Sequence, residues 1–229
     1  MTRQIPLPLA IAPHARFDTF VAGANDAVVA RLTARVAGEV IWLWGASGIG
    51  KTHLLQAACA AEPERAMYLP LDASGGLNPS VLDGLGELAV IAIDDLDVVA
   101  AEPAWNQALF ALYNQQQDLG GRLIIAASSP PNAIDFDLLD LASRLRASIV
   151  YRLEPLDDIG LLQALQRQAE ARGLELSEAA GRYLLSRVRR EMGGLATWLE
   201  QLDRAALASQ RKLTVPLIRE ALSQRVQVL

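Results

Sequence analysis

The sequence predicts an open parallel α/β sheet followed by a small all-helical domain, and three observations predict it. Short apolar runs alternate with helical patterns as far as about residue 155, and beyond that point the strand signals stop. Residues 45–52 read Gly-Ala-Ser-Gly-Ile-Gly-Lys-Thr, a complete GxxxxGK[ST] loop between one apolar run and one helical run. The strands expected are Val40 to Trp44, Ala66 to Pro70, Ala89 to Ile93, Arg122 to Ala127 and Ser148 to Leu153, each short and apolar, as a sheet covered on both faces requires. Helices are expected at 53–61 after the glycine-rich loop and at 106–119, the latter carrying Leu109, Phe110, Leu112 and Tyr113. Pro130-Pro131 breaks the chain after the fourth strand. Four more helices follow at 157–172, 177–191, 194–210 and 215–227, with Asp157 and Ser177 as N-caps, Gly173 as a stop and Pro216 near a first turn.

With 229 residues and 52% hydrophobic content, the chain has enough apolar surface for one good-sized core, or a core plus a small second domain. A net charge of −5 argues against tight nonspecific binding to nucleic acid, which depends on many cations neutralising phosphates. The single cysteine, Cys59, leaves no disulfide within the chain, and as a small hydrophobe on a predicted helix it reads as core. No apolar stretch reaches the roughly 18 residues of a membrane span, and the first residues lack both a basic leader and an apolar signal core, so the expected location is the cytoplasm, with no membrane partner.

The glycine-rich loop carries the chemistry. Its glycines let backbone N–H groups curl around a polyphosphate, Lys51 reaches the β- and γ-phosphates, and Thr52 offers its hydroxyl to Mg²⁺ at a helix N-terminus. The expected ligand is a nucleoside phosphate, which the family resemblance given below makes ADP or ATP, held by Gly45, Ala46, Ser47, Gly48, Ile49, Gly50, Lys51, Thr52 and the adjoining His53. A second motif, Val90-Ile91-Ala92-Ile93-Asp94-Asp95, is an apolar strand ending in two acids. Asp94 is the expected metal residue, holding Mg²⁺ directly or through water, and Asp95 the candidate base that polarises an attacking water. Acids at strand ends also form turns, and Asp97, two residues on, reads as a solvated turn acid. Trp42 and Trp44 pack on the sheet, and His14 and His53 have no metal-ligand partners at useful spacing.

With these motifs in place the chain resembles the AAA+ ATPases, and within them the DnaA-related proteins typified by Hda. Phe17-Asp18-Thr19-Phe20-Val21 with Gly23 and Asn25 is similar to the family segment that holds the adenine, and Gly50-Lys51-Thr52-His53-Leu54-Leu55 to its phosphate-loop helix. Tyr68-Leu69-Pro70-Leu71-Asp72, Leu112-Tyr113-Asn114, Asp140-Leu141-Ala142-Ser143-Arg144-Leu145 and Gln201-Leu202-Asp203-Arg204-Ala205 carry the likeness through the rest of the chain. It implies an AAA+ core with a five-stranded sheet at 13–155, a helical lid at 156–229, and adenine contacts from Phe20 and Val21.

Further roles follow from the resemblance alone. Gln4-Ile5-Pro6-Leu7-Pro8-Leu9 is similar to the hexapeptide by which replication proteins dock on the bacterial sliding clamp, the β subunit of DNA polymerase III. Gln4 supplies amide hydrogen bonds, Leu7 and Leu9 supply apolar anchors, and the prolines pre-extend the strand, which makes 1–12 a docking leader; a Pro-rich start to the first domain is the other reading. Arg144 matches the arginine finger that enters a neighbouring subunit's nucleotide site, and otherwise reads as a surface arginine like Arg146 and Arg152. Ser128 matches the sensor 1 position, and reads equally as a strand-end turn serine. In one departure from the family pattern, Gly193 occupies the place of the sensor 2 arginine, with Arg189 and Arg190 nearby but out of register.

The resemblance therefore implies a regulator that docks on the DNA-loaded clamp, touches DNA only through it, and stimulates hydrolysis of DnaA-bound ATP. Without the sensor 2 cation, its own site would hold ADP with little turnover. Three other readings share the core: a helicase loader, an autonomous P-loop ATPase using Asp95, and a DNA-binding initiator, for which the chain ending at Leu229 leaves no separate helix-turn-helix domain. Self-association through Arg144 is a further possibility.

Overall fold

A computed structural model describes residues 11–71, 77–188, 192–206 and 212–226. The leader residues Gln4, Leu7 and Leu9, together with Asp72, Arg189 and Arg190, lie outside them. The chain divides into two compact units. The first takes in residues 11–17, Asn25–Ala46 and Lys51–Glu154, and the second takes in Asp18–Ala24, Ser47–Gly50 and the described residues from Pro155 onward.

The first unit is built on five parallel strands, β1 (Val40–Trp44), β2 (Ala66–Pro70), β3 (Val90–Asp94), β4 (Arg122–Ala127) and β5 (Ile149–Arg152), in the order β2-β3-β4-β1-β5. Three strands match the expected limits; β3 starts one residue later and takes in Asp94, and β5 is one residue shorter at each end. Every residue of β3 and β4 is buried, as befits central strands of a sheet covered on both faces. The edge strand β5 alternates between half-buried and exposed positions. Register places Trp44 beside Ala127 on one side and Arg152 on the other, so the chain leaves the carboxyl end of β1 into the glycine-rich loop at the edge where open α/β sheets bind ligands.

Helices α1 (Asp26–Ala34), α2 (Lys51–Ala60), α3 (Pro103–Leu119) and α4 (Leu139–Arg146) complete this unit. α3 opens with Pro103, whose missing N–H is no loss at a helix start, three residues earlier than the apolar spacing suggests. It ends at Gly120 in the left-handed conformation (φ 71°). Two polar side chains on α3 are fully buried with partners. Asn106 donates to the carbonyls of Ala100 (2.7 Å) and Glu102 (2.8 Å), and Gln116 donates to those of Gly86 (2.9 Å) and Leu88 (3.2 Å). Cys59 is buried on α2, and desolvation pushes its thiol up to about 12, so it stays protonated and unreactive at neutral pH.

Trp42 sits at the centre of this core with no exposed surface, edge-on to Phe136 (81° between ring planes) and donating its indole N–H to the Ser129 carbonyl at 3.0 Å. Trp42→Ala is therefore expected to destabilise the protein by about 3–5 kcal/mol, from lost burial plus the cavity left behind. Chemical denaturation compared with the wild type measures this; a loss under ~1 kcal/mol would mean that the site collapses around the gap.

The second unit packs α5 (Asp158–Ala171), α6 (Glu178–Leu185), α7 (Met192–Ala206) and α8 (Val215–Val226) around a cluster that includes Leu165, Leu184, Leu195, Leu199, Leu202 and Ile218. The expected caps are present: Asp157 accepts from Gly160 N–H at 2.7 Å, and Ser177 from Ala180 N–H at 3.3 Å. Gly173 follows α5 at φ 71°. Two features go beyond the sequence reading. α6 stops at Leu185, well short of residue 191, and two short strands, β6 (Glu175–Leu176) and β7 (Lys212–Leu213), pair in parallel among the helices. No helix among the described residues is long and apolar enough to cross a membrane.

Candidate functional site

The loop after β1 requires backbone geometry that side chains oppose. Gly45, Gly48 and Gly50 have φ of 147°, 70° and 107°, values at which a Cβ is strained, and this is the curl that presents N–H groups to a phosphate. A Cβ on Gly50 would also lie 2.9 Å from the Phe20 ring. Phe20, expected at the adenine, is thus held against the loop tip within the second unit, where its carbonyl accepts from Arg167 of α5 at 3.2 Å. Val21 beside it is buried.

Lys51 opens α2 and is 8% exposed. Its ammonium donates to the carbonyls of Gly45 (2.7 Å) and Ala46 (3.0 Å), which keeps the cation at the loop. Thr52 Oγ1 donates to Asp94 Oδ2 at 2.7 Å, joining the start of α2 to the end of β3. The structure thus brings together Thr52 and Asp94, the two residues proposed for the metal. It adds Tyr68 of β2, whose phenol donates to the same Oδ2 at 2.9 Å, while Asp94 Oδ1 accepts from Asp95 N–H at 3.2 Å. Burial, followed by the charge and hydrogen bond of Asp94, pushes the Tyr68 phenol well above its usual range, so it is a neutral donor at any working pH.

Asp95 stands in the left-handed conformation (φ 53°, ψ 43°), a backbone that Asp tolerates better than most residues and that turns the chain sharply at the strand end. Asp97 differs from the solvated turn acid expected. Its Oδ2 accepts the backbone N–H of Ser128 at 3.2 Å and also the Ser128 hydroxyl, tying the turn after β3 to the turn after β4. Ser128, at the turn after β4, thus donates to Asp97 through both its backbone N–H and its hydroxyl. His53 Nε2 lies 2.9 Å from the Arg16 carbonyl, a structural contact with the segment before α1.

Arg144 lies on α4 with an exposed side chain, its guanidinium 4.8 Å from the Phe110 ring centre and 5.4 Å from that of Tyr113, both on α3. This cation–π shelf holds the arginine head while leaving it open to solvent. Arg152 stacks in the same way over Trp44 at 5.4 Å. Gly193 is the second residue of α7.

Thr52 and Asp94 offer hard oxygens, the donor type that Mg²⁺ takes, and no cluster of three or more His, Cys, Asp or Glu among the described residues forms a metal site by itself. Mg²⁺ held here would complete its octahedral shell with water and phosphate oxygens. Strained glycines, a loop lysine and a Thr–Asp pair at the carboxyl edge of a β2-β3-β4-β1-β5 sheet, with a helical unit following, define a P-loop nucleotide-binding protein of the AAA+ class.

Comparison with known proteins narrows the class. A model of the bacterial DnaA ATPase domain matches residues 11–69, and a model of the Hda lid domain matches residues 157–222. The chain belongs to the Hda/DnaA-related AAA+ proteins, a nucleotide-binding family of DNA replication initiation and its regulation. Among solved structures it is similar to domain III of the Thermotoga maritima replication initiation protein DnaA, at 21% identity over 94% of this chain and 98% of that one, with a TM-score of 0.74. It is also similar to AMPPCP-bound DnaA from Aquifex aeolicus (21% identity, 83% of this chain, 66% of that one, TM-score 0.63). The Holliday junction branch migration motor RuvB of Thermotoga maritima shares the fold more distantly (15% identity, 91% of this chain, 73% of that one, TM-score 0.62).

Tyr68, Asp97, Arg167 and the Phe110–Tyr113 shelf were not assigned to the site from sequence. Tyr68 stood out only as part of a family-like strand, and Asp97 is one acid in an acidic turn; nothing local marks either.

Proposed function

We propose that this protein restrains replication initiation by docking on the DNA-loaded sliding clamp through Gln4 to Leu9 and presenting Arg144 to ATP-bound DnaA, so that DnaA-ATP is converted to DnaA-ADP. The observation that carries this reading is the Hda-type lid over residues 157–222, because an ATPase core like this one also occurs in the initiators themselves. The exposed, aromatic-backed guanidinium of Arg144 supports a role toward another molecule, where it would stabilise charge developing on the γ-phosphate. The chain's own ADP or ATP, with Mg²⁺, would be held by residues 45–52 and Asp94, and the metal would neutralise phosphate charge. Gly193 at the sensor 2 place supplies no cation of its own toward a γ-phosphate, which supports a structural ADP with little turnover. Nucleotide occupancy would then set how Arg144 is offered, a coupling between a site and an interface. Cytoplasmic location follows from this role.

The test is hydrolysis of DnaA-bound ATP with clamp loaded on DNA, comparing wild type, Gln4→Ala and Arg144→Ala. Acceleration by the wild type that Gln4→Ala loses supports clamp docking. A wild type that binds nucleotide yet leaves DnaA-ATP untouched removes DnaA as the partner and favours a helicase-loader role.

A further inference from the structure

We infer that Tyr68 is a positioning residue for Mg²⁺ at this site, acting through Asp94 on Thr52; the inference rests on the Mg²⁺-nucleotide reading given above. The juxtaposition is specific. Tyr68 is 5% exposed on β2, in register with Ala92, while Asp94 stands two residues further along β3, opposite Pro70. The phenol therefore reaches along the strand direction to the carboxylate of the neighbouring strand and arrives at Oδ2 (2.9 Å), the oxygen that also receives the Thr52 hydroxyl (2.7 Å).

A buried phenol needs an acceptor, and packing alone would be satisfied by any carbonyl. Here it takes the acceptor that orients the metal-facing hydroxyl. Asp94 is itself 2% exposed, and its two oxygens receive three donors: Tyr68 and Thr52 on one, Asp95 N–H on the other. That set fixes the carboxylate's rotation and keeps Oδ2 toward α2. Thr52 then spends its proton on Asp94, and the lone pairs of its hydroxyl oxygen remain for the cation. A carboxylate held in this way would orient the Thr52 hydroxyl for the cation, and partners that orient a ligand typically contribute 10- to 100-fold to metal affinity. Removing the phenol oxygen leaves Oδ2 with one donor and frees the carboxylate to turn, so the Thr52 hydroxyl loses its fixed direction.

The experiment titrates Mg²⁺, and Mn²⁺ followed by electron paramagnetic resonance, into the ADP complex of wild type, Tyr68→Phe, Thr52→Ala and the double variant, with ADP affinity in EDTA measured alongside. The expected result is metal affinity about tenfold weaker in Tyr68→Phe, unchanged ADP affinity in EDTA, and a double variant no weaker than Thr52→Ala alone. In wild type labelled with ¹³Cζ-tyrosine, a tyrosine resonance is expected to shift when Mg²⁺ joins ADP, a readout that does not depend on the variant folding. Metal affinity within twofold of wild type, additive losses in the double variant, or no tyrosine shift on adding Mg²⁺ overturns the role of Tyr68 while the nucleotide site stands. A wild type that binds ADP equally with and without Mg²⁺ overturns the metal reading itself.

Discussion

Under the proposed function, Arg144→Ala should abolish acceleration of DnaA-ATP hydrolysis, a fall of about 10³-fold or more, the lower end of what an arginine supplied in trans contributes where such arginines have been measured in GTPases. The reason lies in where its charge is placed. The guanidinium rests on Phe110 and Tyr113 at 4.8 and 5.4 Å and faces solvent, so it is pre-oriented on a rigid helix and available to a second molecule. The same geometry predicts that stability barely changes, since an exposed cation–π contact contributes about 0.5–1 kcal/mol. Arg144→Lys should fail nearly as badly, because an ammonium lacks the planar fork that stacks on the rings and binds phosphate oxygens in pairs. Single-turnover hydrolysis of DnaA-bound ATP, with clamp and DNA present, reads the effect. Wild-type stimulation by Arg144→Ala would assign this residue to the surface and require another cation for the role.

Lys51→Ala should weaken ADP binding about 10- to 100-fold, the equivalent of losing a charge-assisted hydrogen bond of roughly 1.5–3 kcal/mol. Lys51 is 8% exposed and held by the Gly45 and Ala46 carbonyls, so its charge stays at the loop and reaches phosphate with little ordering cost. Fluorescent-ADP titration measures the loss. Thr52→Ala should separate from it, with the larger effect when Mg²⁺ is present and little in EDTA, because the role proposed for its hydroxyl is toward the metal. Equal losses for both variants in EDTA would instead point to a disturbed loop.

Much of this molecule was legible before folding was considered, for reasons that are local. β1, β2 and β4 match the expected limits because a buried parallel strand is a short apolar run closed by turn residues. The phosphate loop was legible because its chemistry depends on glycines, a lysine and a threonine at fixed spacing in one stretch of chain. Asp157 and Ser177 were legible as caps because a cap bonds to an N–H only three residues away. The start of α3 is set locally by Pro103, whereas the end of α6 and the β6–β7 pairing depend on contacts distant in sequence and were not legible.

By itself, then, the sequence determined the class of fold, the glycine-rich P-loop motif and the family to which the chain belongs, since these depend on neighbours along the chain. Only the tertiary structure decided the strand order and the partners of the polar groups at the sheet's carboxyl edge. Thr52 and Tyr68 share one oxygen of Asp94 across 42 and 26 residues, Ser128 is claimed by Asp97 across 31, and Arg144 finds its shelf on another helix. A hydrogen bond depends on distance and direction in space, and no pattern of residue types along the chain encodes which of several nearby acids a buried hydroxyl will reach.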